Sequence, residues 1–363
     1  MRKLIHLQML RAVAAFAVVV DHALQPLATR NLVGPAITQL GWFSGWLGVC
    51  TFFVISGLIM IRTSESEFGQ PGAAGRFAAH RIKRIVPLYW LATLVYFVLK
   101  PIKSPMGLAP IAKSLLFIPY AAVNATTMRP IVGQGWTLNY EMFFYAMFAL
   151  CLLMRKRIGL TVLLGLFPIL VIAGLAVRPL FPYTDPVKPL AFWTDPIILF
   201  FAYGVLIGLA EVKLSAQFEF KWPLFGALFL FSAAAGIFWV TGVRFPLQLG
   251  WQLAMGLFCI CSVVLCTTVR QADAGRLGRL VAKAGDASFS TYLFHPLAIA
   301  GLAALDAHLP GPLQSPLLFV LVSVVVANLV GFAIYYAVER PIARTLKGLF
   351  APAKSKTVIV EAA

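Results

Sequence analysis

Charge is scarce in this sequence. Asp, Glu, Lys and Arg make up 12% of its 363 residues, and acidic side chains are rarest, at 13 against 30 basic. A soluble domain carries about a quarter charged residues and roughly half apolar ones. Here 60% of residues are hydrophobic and the mean hydropathy is +0.87. These shortages exclude an ordinary soluble protein and a disordered chain. Cysteine is sparse too: Cys50, Cys151, Cys259, Cys261 and Cys266 lie inside or at the ends of apolar runs, without the spacing of a zinc site. A small secreted disulfide scaffold is therefore excluded, and the thiols are expected to serve as small packing residues.

What remains is a polytopic membrane protein, all-α, built from apolar runs long enough to cross a bilayer. A helix needs about 20 mainly apolar residues to do so. Such runs fall near 6–27, 44–61, 84–100, 136–154, 158–177, 194–211, 222–241, 249–269, 288–307 and 315–338, ten in all. The stretch 108–122 is apolar but short and interrupted by Pro110 and Pro119, so it reads as re-entrant or interfacial. The net charge of +17 does not point to nucleic acid, because the basic residues lie in short clusters between the runs. With the amino terminus inside, 21 basic residues fall on inner segments and 8 on outer ones, with Arg11 within the first span. That bias predicts both termini in the cytoplasm. The first run reads as a retained helix rather than a signal peptide, because Arg11 breaks it and no convincing cleavage site follows. No internal repeat or linker for a second folded domain is visible. Residues 1–345 read as one membrane domain, and 346–363 as a short basic cytoplasmic tail.

Ionisable residues inside spans cost at least ~2.5–3.5 kcal/mol each on insertion scales and need an explanation. The first span holds Arg11, Asp21 and His22. Eleven steps of about 100° turn roughly 20° beyond three full turns, so Arg11 and His22 share one helix face, about 16 Å apart along the axis. Asp21, one step away, does not share that face and reads as a partner for another helix or an interface residue. In the fourth span Glu141 closes Gly135-Trp136-Thr137-Leu138-Asn139-Tyr140-Glu141. It lies at about the depth of His22, so the two form either a buried structural pair or a base and its orienting carboxylate. Arg81-Ile82-Lys83-Arg84-Ile85-Val86-Pro87-Leu88-Tyr89-Trp90 opens the third span. It reads as a positive-inside anchor or, with Arg11, as a fork for a pyrophosphate. His295, mid-span in Tyr292-Leu293-Phe294-His295-Pro296, is either a satisfied core histidine or a functional one.

These motifs together resemble the acyltransferase 3 family of integral membrane acyltransferases, in particular the branch that acylates bacterial exopolysaccharides. The resemblance runs over about residues 5–345. It is carried by Gln8-Met9-Leu10-Arg11-Ala12 with ten residues before His22, by Gly48-Val49-Cys50-Thr51-Phe52-Phe53-Val54-Ile55-Ser56-Gly57, and by Arg81-x-x-Arg84-Ile85-x-Pro87-x-Tyr89. Gly135 to Tyr145, Gly285 to Pro296 and Val338-Glu339-Arg340-Pro341 complete it. Cys50-Thr51 departs from relatives that carry an acidic and a hydrophobic residue there. The resemblance implies an O-acyltransferase of the bacterial inner membrane. It would move an acyl group, usually acetyl, from cytoplasmic acyl-CoA to a hydroxyl of an extracytoplasmic glycan or lipid-linked oligosaccharide, with no metal. It implies His22 as general base with Glu141, and Arg11, Arg81 and Arg84 as the acyl-CoA site. Trp136, Asn139, Tyr140 and His295 are further candidates for substrate contact, with Asn139 or a tyrosine hydroxyl as oxyanion donor. Without the extra soluble domain of some relatives, acceptor recognition is expected on the bundle and its loops. The competing classes are a proton-coupled transporter or glycan flippase, expected to show inverted repeats, and a glycosyltransferase with an acidic metal cluster. A homo-oligomer stays open.

Overall fold

The computed structural model describes residues 5–99, 108–120, 128–177, 192–214, 232–233, 236, 248–268, 275–308, 310 and 315–349. Among them the architecture is helical and no strand forms. The helices are α1 (Ile5–Thr29), α2 (Pro35–Ser64), α3 (Ala73–Leu99), α4 (Leu108–Leu115), α5 (Trp136–Leu152), α6 (Lys156–Val177) and α7 (Leu199–Leu214). They continue as α8 (Gln248–Thr268), α9 (Gly275–Asp286), α10 (Ser288–Asp306), α11 (Pro316–Ile334) and α12 (Arg340–Leu349), with a π-helical turn Tyr335–Glu339 joining the last two.

Among the described residues six helices are long and apolar enough to cross a membrane: Ile5–Thr29, Pro35–Glu67, Ala73–Leu99, Lys156–Ala176, Ser288–Asp306 and Pro316–Leu346. The apolar stretches in α7 and α8 are shorter. The expected span 222–241 lies outside the described residues except for three positions, as does the tail beyond 349. The helix reaches Leu349, past the boundary at 345 read from the sequence. The segment 108–122 contains α4, whose eight residues rise about 12 Å and do not cross a ~30 Å hydrocarbon layer. Phe117 breaks the chain after it in a left-handed conformation (φ 58°), and the Trp90 indole N–H ties it to α3 through the Leu115 carbonyl at 2.9 Å.

Small residues set the helix contacts. In lipid, apolar surface alone gives little drive for helices to associate, so close backbone approach matters. Along α2, Gly41 takes Leu24, Gly45 takes the Asp21 side chain, and Gly48 takes the Ala14 carbonyl and Val18. Falling α1 numbers against rising α2 numbers make this pair antiparallel. Further along, Gly57 and Gly204 let α2 and α7 meet backbone to backbone. Rings fill the space beside them: Phe201 stacks on Phe53 and on Phe144, each at 4.4 Å between centroids. On α11 the outward row Leu317, Leu321, Val325 and Leu329 stays exposed, the apolar face expected against lipid.

Prolines inside helices leave carbonyls without their usual partner. Pro296 of α10 does this for Tyr292, and the bundle supplies a substitute. The Gln134 side-chain amide donates to the carbonyls of Leu293 (2.7 Å) and Tyr292 (3.3 Å), and the Tyr96 hydroxyl donates to that of Leu293 (3.1 Å). With no water in the hydrocarbon layer, such substitutes are required.

Candidate active site

Two helices carry Arg11, His22 and His295 between them. α1 and α10 run parallel, and three polar rungs fix their register. Arg11 donates to the Ser288 hydroxyl at 2.9 Å, the rings of His22 and His295 meet edge to face at 4.8 Å, and Arg30 pairs with Asp306 at 2.5 Å. The Gln8 side chain accepts a second bond from Arg11 at 3.0 Å. Arg11 and His22 lie on the face of α1 turned to α10, in keeping with their eleven-residue spacing. Both imidazoles are held alike. Nδ1 of His22 lies 2.9 Å from the Val18 carbonyl, and Nδ1 of His295 lies 3.0 Å from that of Thr291. A carbonyl only accepts, so in each neutral ring Nδ1 carries the proton and Nε2 keeps the basic lone pair. His295 is fully buried and its Nε2 has no partner among the described residues, whereas the His22 side chain keeps 25% of its surface exposed.

A cleft of about 750 Å³, its open mouth included, runs between α1, α2, α3, α5 and α10. Arg11, Arg84 and Glu141 stand in its wall with Ser56, Tyr145 and Tyr292, and Phe52, Phe53, Ile55, Ile59 and Met60 make one side apolar. Arg84 makes no hydrogen bond or ion pair among the described residues, so its fork is open to an anion. Arg11 lies within Coulombic reach of the carboxylates of Asp286, Glu339 and Glu141 and of the Arg84 guanidinium. Glu339 reaches the site through the π-helical turn and accepts from Ser290 at 2.5 Å.

The structure redistributes the residues expected to act together. Glu141 does not meet His22: its carboxylate accepts from the hydroxyls of Tyr145 and, at 3.3 Å, Ser56, while the imidazole is oriented by the Val18 carbonyl. Equal depth on two helices does not fix their rotation, and α5 turns Glu141 toward α2 and α3. Arg81 separates from Arg84. It is 5% exposed, packs over the rings of Phe77 (5.3 Å) and Tyr145 (5.7 Å), donates to Thr63 at 3.4 Å, and does not line the cleft. Of the remaining candidates, Tyr140 donates to the Phe192 carbonyl at 2.8 Å and stacks on that ring. Trp136 lies against Trp46 at 5.5 Å. Asn139 is 1% exposed, and neither the oxygen nor the nitrogen of its amide has a partner among the described residues. His22 and His295 are not in the cleft wall; Tyr292, which is, lies 6.1 Å from His295.

Residues 4–336 match the acyltransferase 3 family, whose shared region is described as an acyltransferase domain. The chain belongs to this family. It is 36% identical over 309 residues to the exopolysaccharide production protein ExoZ of Rhizobium meliloti (strain 1021), covering 83% of this chain and 90% of that protein. No solved structure matches it. Membership in a family of acyltransferases weighs against a transporter, flippase or glycosyltransferase. For this acyltransferase, sequence reasoning missed Ser56, Tyr145, Ser288 and Gln134 as partners of the charged and proline-freed groups. For Ser56, Tyr145 and Ser288 the available signal was their place inside the shared motifs; Gln134 lies one residue before its motif. Among the described residues no cluster of three His, Cys, Asp or Glu side chains stands ready for a metal.

Proposed function

We propose that this protein is an O-acyltransferase of the bacterial inner membrane. It moves an acetyl group from acyl-CoA on the cytoplasmic side to a hydroxyl of an exopolysaccharide or its lipid-linked precursor on the other side. Ten membrane-crossing helices with both termini cytoplasmic, ending in the short basic tail, give the bundle the polarity this requires. The observation that carries the reading is the cleft. Arg11 and Arg84 suit the donor's phosphates, the apolar wall suits its thin arm, and Tyr292 at the far side leads to His295 and His22.

In this scheme His22 Nε2 takes the proton of the acceptor hydroxyl as its oxygen attacks the thioester carbonyl. The carbon–sulfur bond breaks, and the imidazolium returns the proton to the thiolate. General-base help of this kind is worth about 10²–10⁴-fold. The hydroxyls of Tyr140, Tyr145 and Tyr292 already donate to Phe192, Glu141 and Gln134, which favours the unpartnered amide of Asn139 as the oxyanion donor. Glu141 serves the donor cleft through Tyr145 and Ser56 rather than the imidazole.

The test is transfer of labelled acetyl from acetyl-CoA to base-stripped exopolysaccharide by purified protein in lipid nanodiscs. His22→Ala is expected to lower transfer at least about 100-fold while the protein elutes as wild type does. Retained transfer would reject His22 as the base.

A further inference from the structure

A row of indoles extends the cleft on the side away from Arg84. On α2 the positions Trp42, Trp46, Val49, Phe53, Ser56 and Met60 are separated by four, three, four, three and four residues, which keeps them on one helix face. The last four line the cleft, so the two tryptophans continue its wall by about two turns. Trp136 completes the row: Trp42 and Trp46 are 5.6 Å apart between ring centroids, and Trp46 and Trp136 are 5.5 Å apart. Trp136 immediately precedes Thr137 and Leu138, which also line the cleft. None of the three indoles is fully buried, and Trp42 is 38% exposed.

Two charged groups flank the row. Asp21 precedes His22, and its carboxylate fills the notch left by Gly45, three residues after Trp42 and one before Trp46. It bonds to Gln25 and lies within Coulombic reach of Arg129. Arg129 is exposed on the segment leading to α5 and is also within Coulombic reach of Tyr292 in the cleft wall.

We propose that Trp42, Trp46 and Trp136, with Asp21 and Arg129, form the acceptor subsite: a platform on which a sugar ring of the glycan stacks while its hydroxyls bond to the flanking charges. The proposal rests on the acyl-transfer reading and adds where the acceptor sits and what recognises it. A pyranose presents an apolar face of C–H bonds and a rim of hydroxyls. The indoles, tilted 49–59° to one another, take the face, and a carboxylate within Coulombic reach of a guanidinium takes donors and acceptors on the rim. A lipid chain would use the rings and offer no hydrogen-bonding group to Asp21, whose carboxylate lies 3.9 Å from Nδ1 of His22, which favours a sugar. A hydroxyl of a ring held there lies beside Asp21 and so beside His22.

The experiment uses full-length protein in nanodiscs, with oligosaccharides cut from the producing strain's exopolysaccharide after base removal of its esters. Trp46→Ala and Trp136→Ala are expected to raise the acceptor KM about tenfold or more, one lost stacking contact or slightly more. The acetyl-CoA KM should stay within twofold, and Trp46→Phe should recover most of the loss. Arg129→Ala, which trims an exposed side chain, is expected to raise the acceptor KM alone. An unchanged acceptor KM in all of these, or parallel rises in both KM values, overturns the platform. If wild-type protein transfers nothing, the functional reading falls, and quenching of tryptophan fluorescence by the same oligosaccharides decides the platform separately. Saturable quenching reduced in Trp46→Phe upholds it, and its absence rejects it.

Discussion

The two arginines of Arg81-Ile82-Lys83-Arg84 are three residues apart and chemically identical, yet they have different surroundings. Arg81 is buried over two rings with one hydroxyl partner, so its removal takes away packing as well as a charge. Arg81→Ala is expected to cost about 1–3 kcal/mol of stability, read as a fall in thermal midpoint in detergent. Arg84→Ala should leave that midpoint in place and raise the acetyl-CoA KM about tenfold, as expected for one lost charge-assisted bond. Equal thermal loss in both variants would contradict this division. The same reasoning separates Glu141 from His22. With the ring oriented by Val18, Glu141→Gln should weaken acetyl-CoA use and leave the acceptor KM unchanged, whereas a carboxylate orienting the base would lower kcat for every donor. Steady-state kinetics with both substrates varied distinguishes the two. The residue scale was partly legible. The sequence marked Arg11 and His22 by their cost in an apolar setting and Arg84 by its basic motif, but a partner on another helix, such as Ser288 for Arg11, is not written in a residue's own segment.

At the scale of helices, small residues and prolines decide how the elements lie. Gly204 meets the Val54 carbonyl of α2, and a larger side chain would have to push two backbones apart. Gly204→Val is expected to destabilise the protein by about 1–3 kcal/mol, the usual cost of overpacking, and to lower transfer through the shifted cleft wall. A thermal midpoint like that of wild type would show that α2 and α7 are looser than drawn. Gln134 is a second case. Gln134→Leu removes the donor that serves two carbonyls beside Pro296, and about 1–3 kcal/mol of stability should go with it. These elements were readable as elements, since apolar length and proline placement are local properties. That Gln134 would serve a helix more than 150 residues later was not readable, because nothing in its neighbourhood names that helix.

In the whole molecule, the parallel pairing of α1 and α10 joins the two ends of the site. Arg11–Ser288 fixes one level, His22–His295 the next, and Arg30–Asp306 closes the pair beyond Pro26. Arg30→Met and Asp306→Asn should each lower kcat by loosening the register at His22, and the double variant should lose less than the two singles combined. A coupling of about 0.5–3 kcal/mol in that cycle is the expected result, and strict additivity would show that the clamp does not hold the rings. By itself the sequence determined that the chain is a bundle of apolar helices, and which polar residues lie within them. Those features follow from composition and from a turn of about 100° per residue, both local. Only the tertiary structure decided which polar groups meet. Helix rotation and pairing depend on contacts between segments far apart in the chain, so Arg11 went to Ser288, Glu141 to Ser56 as well as its own-helix neighbour Tyr145, and His22 to His295.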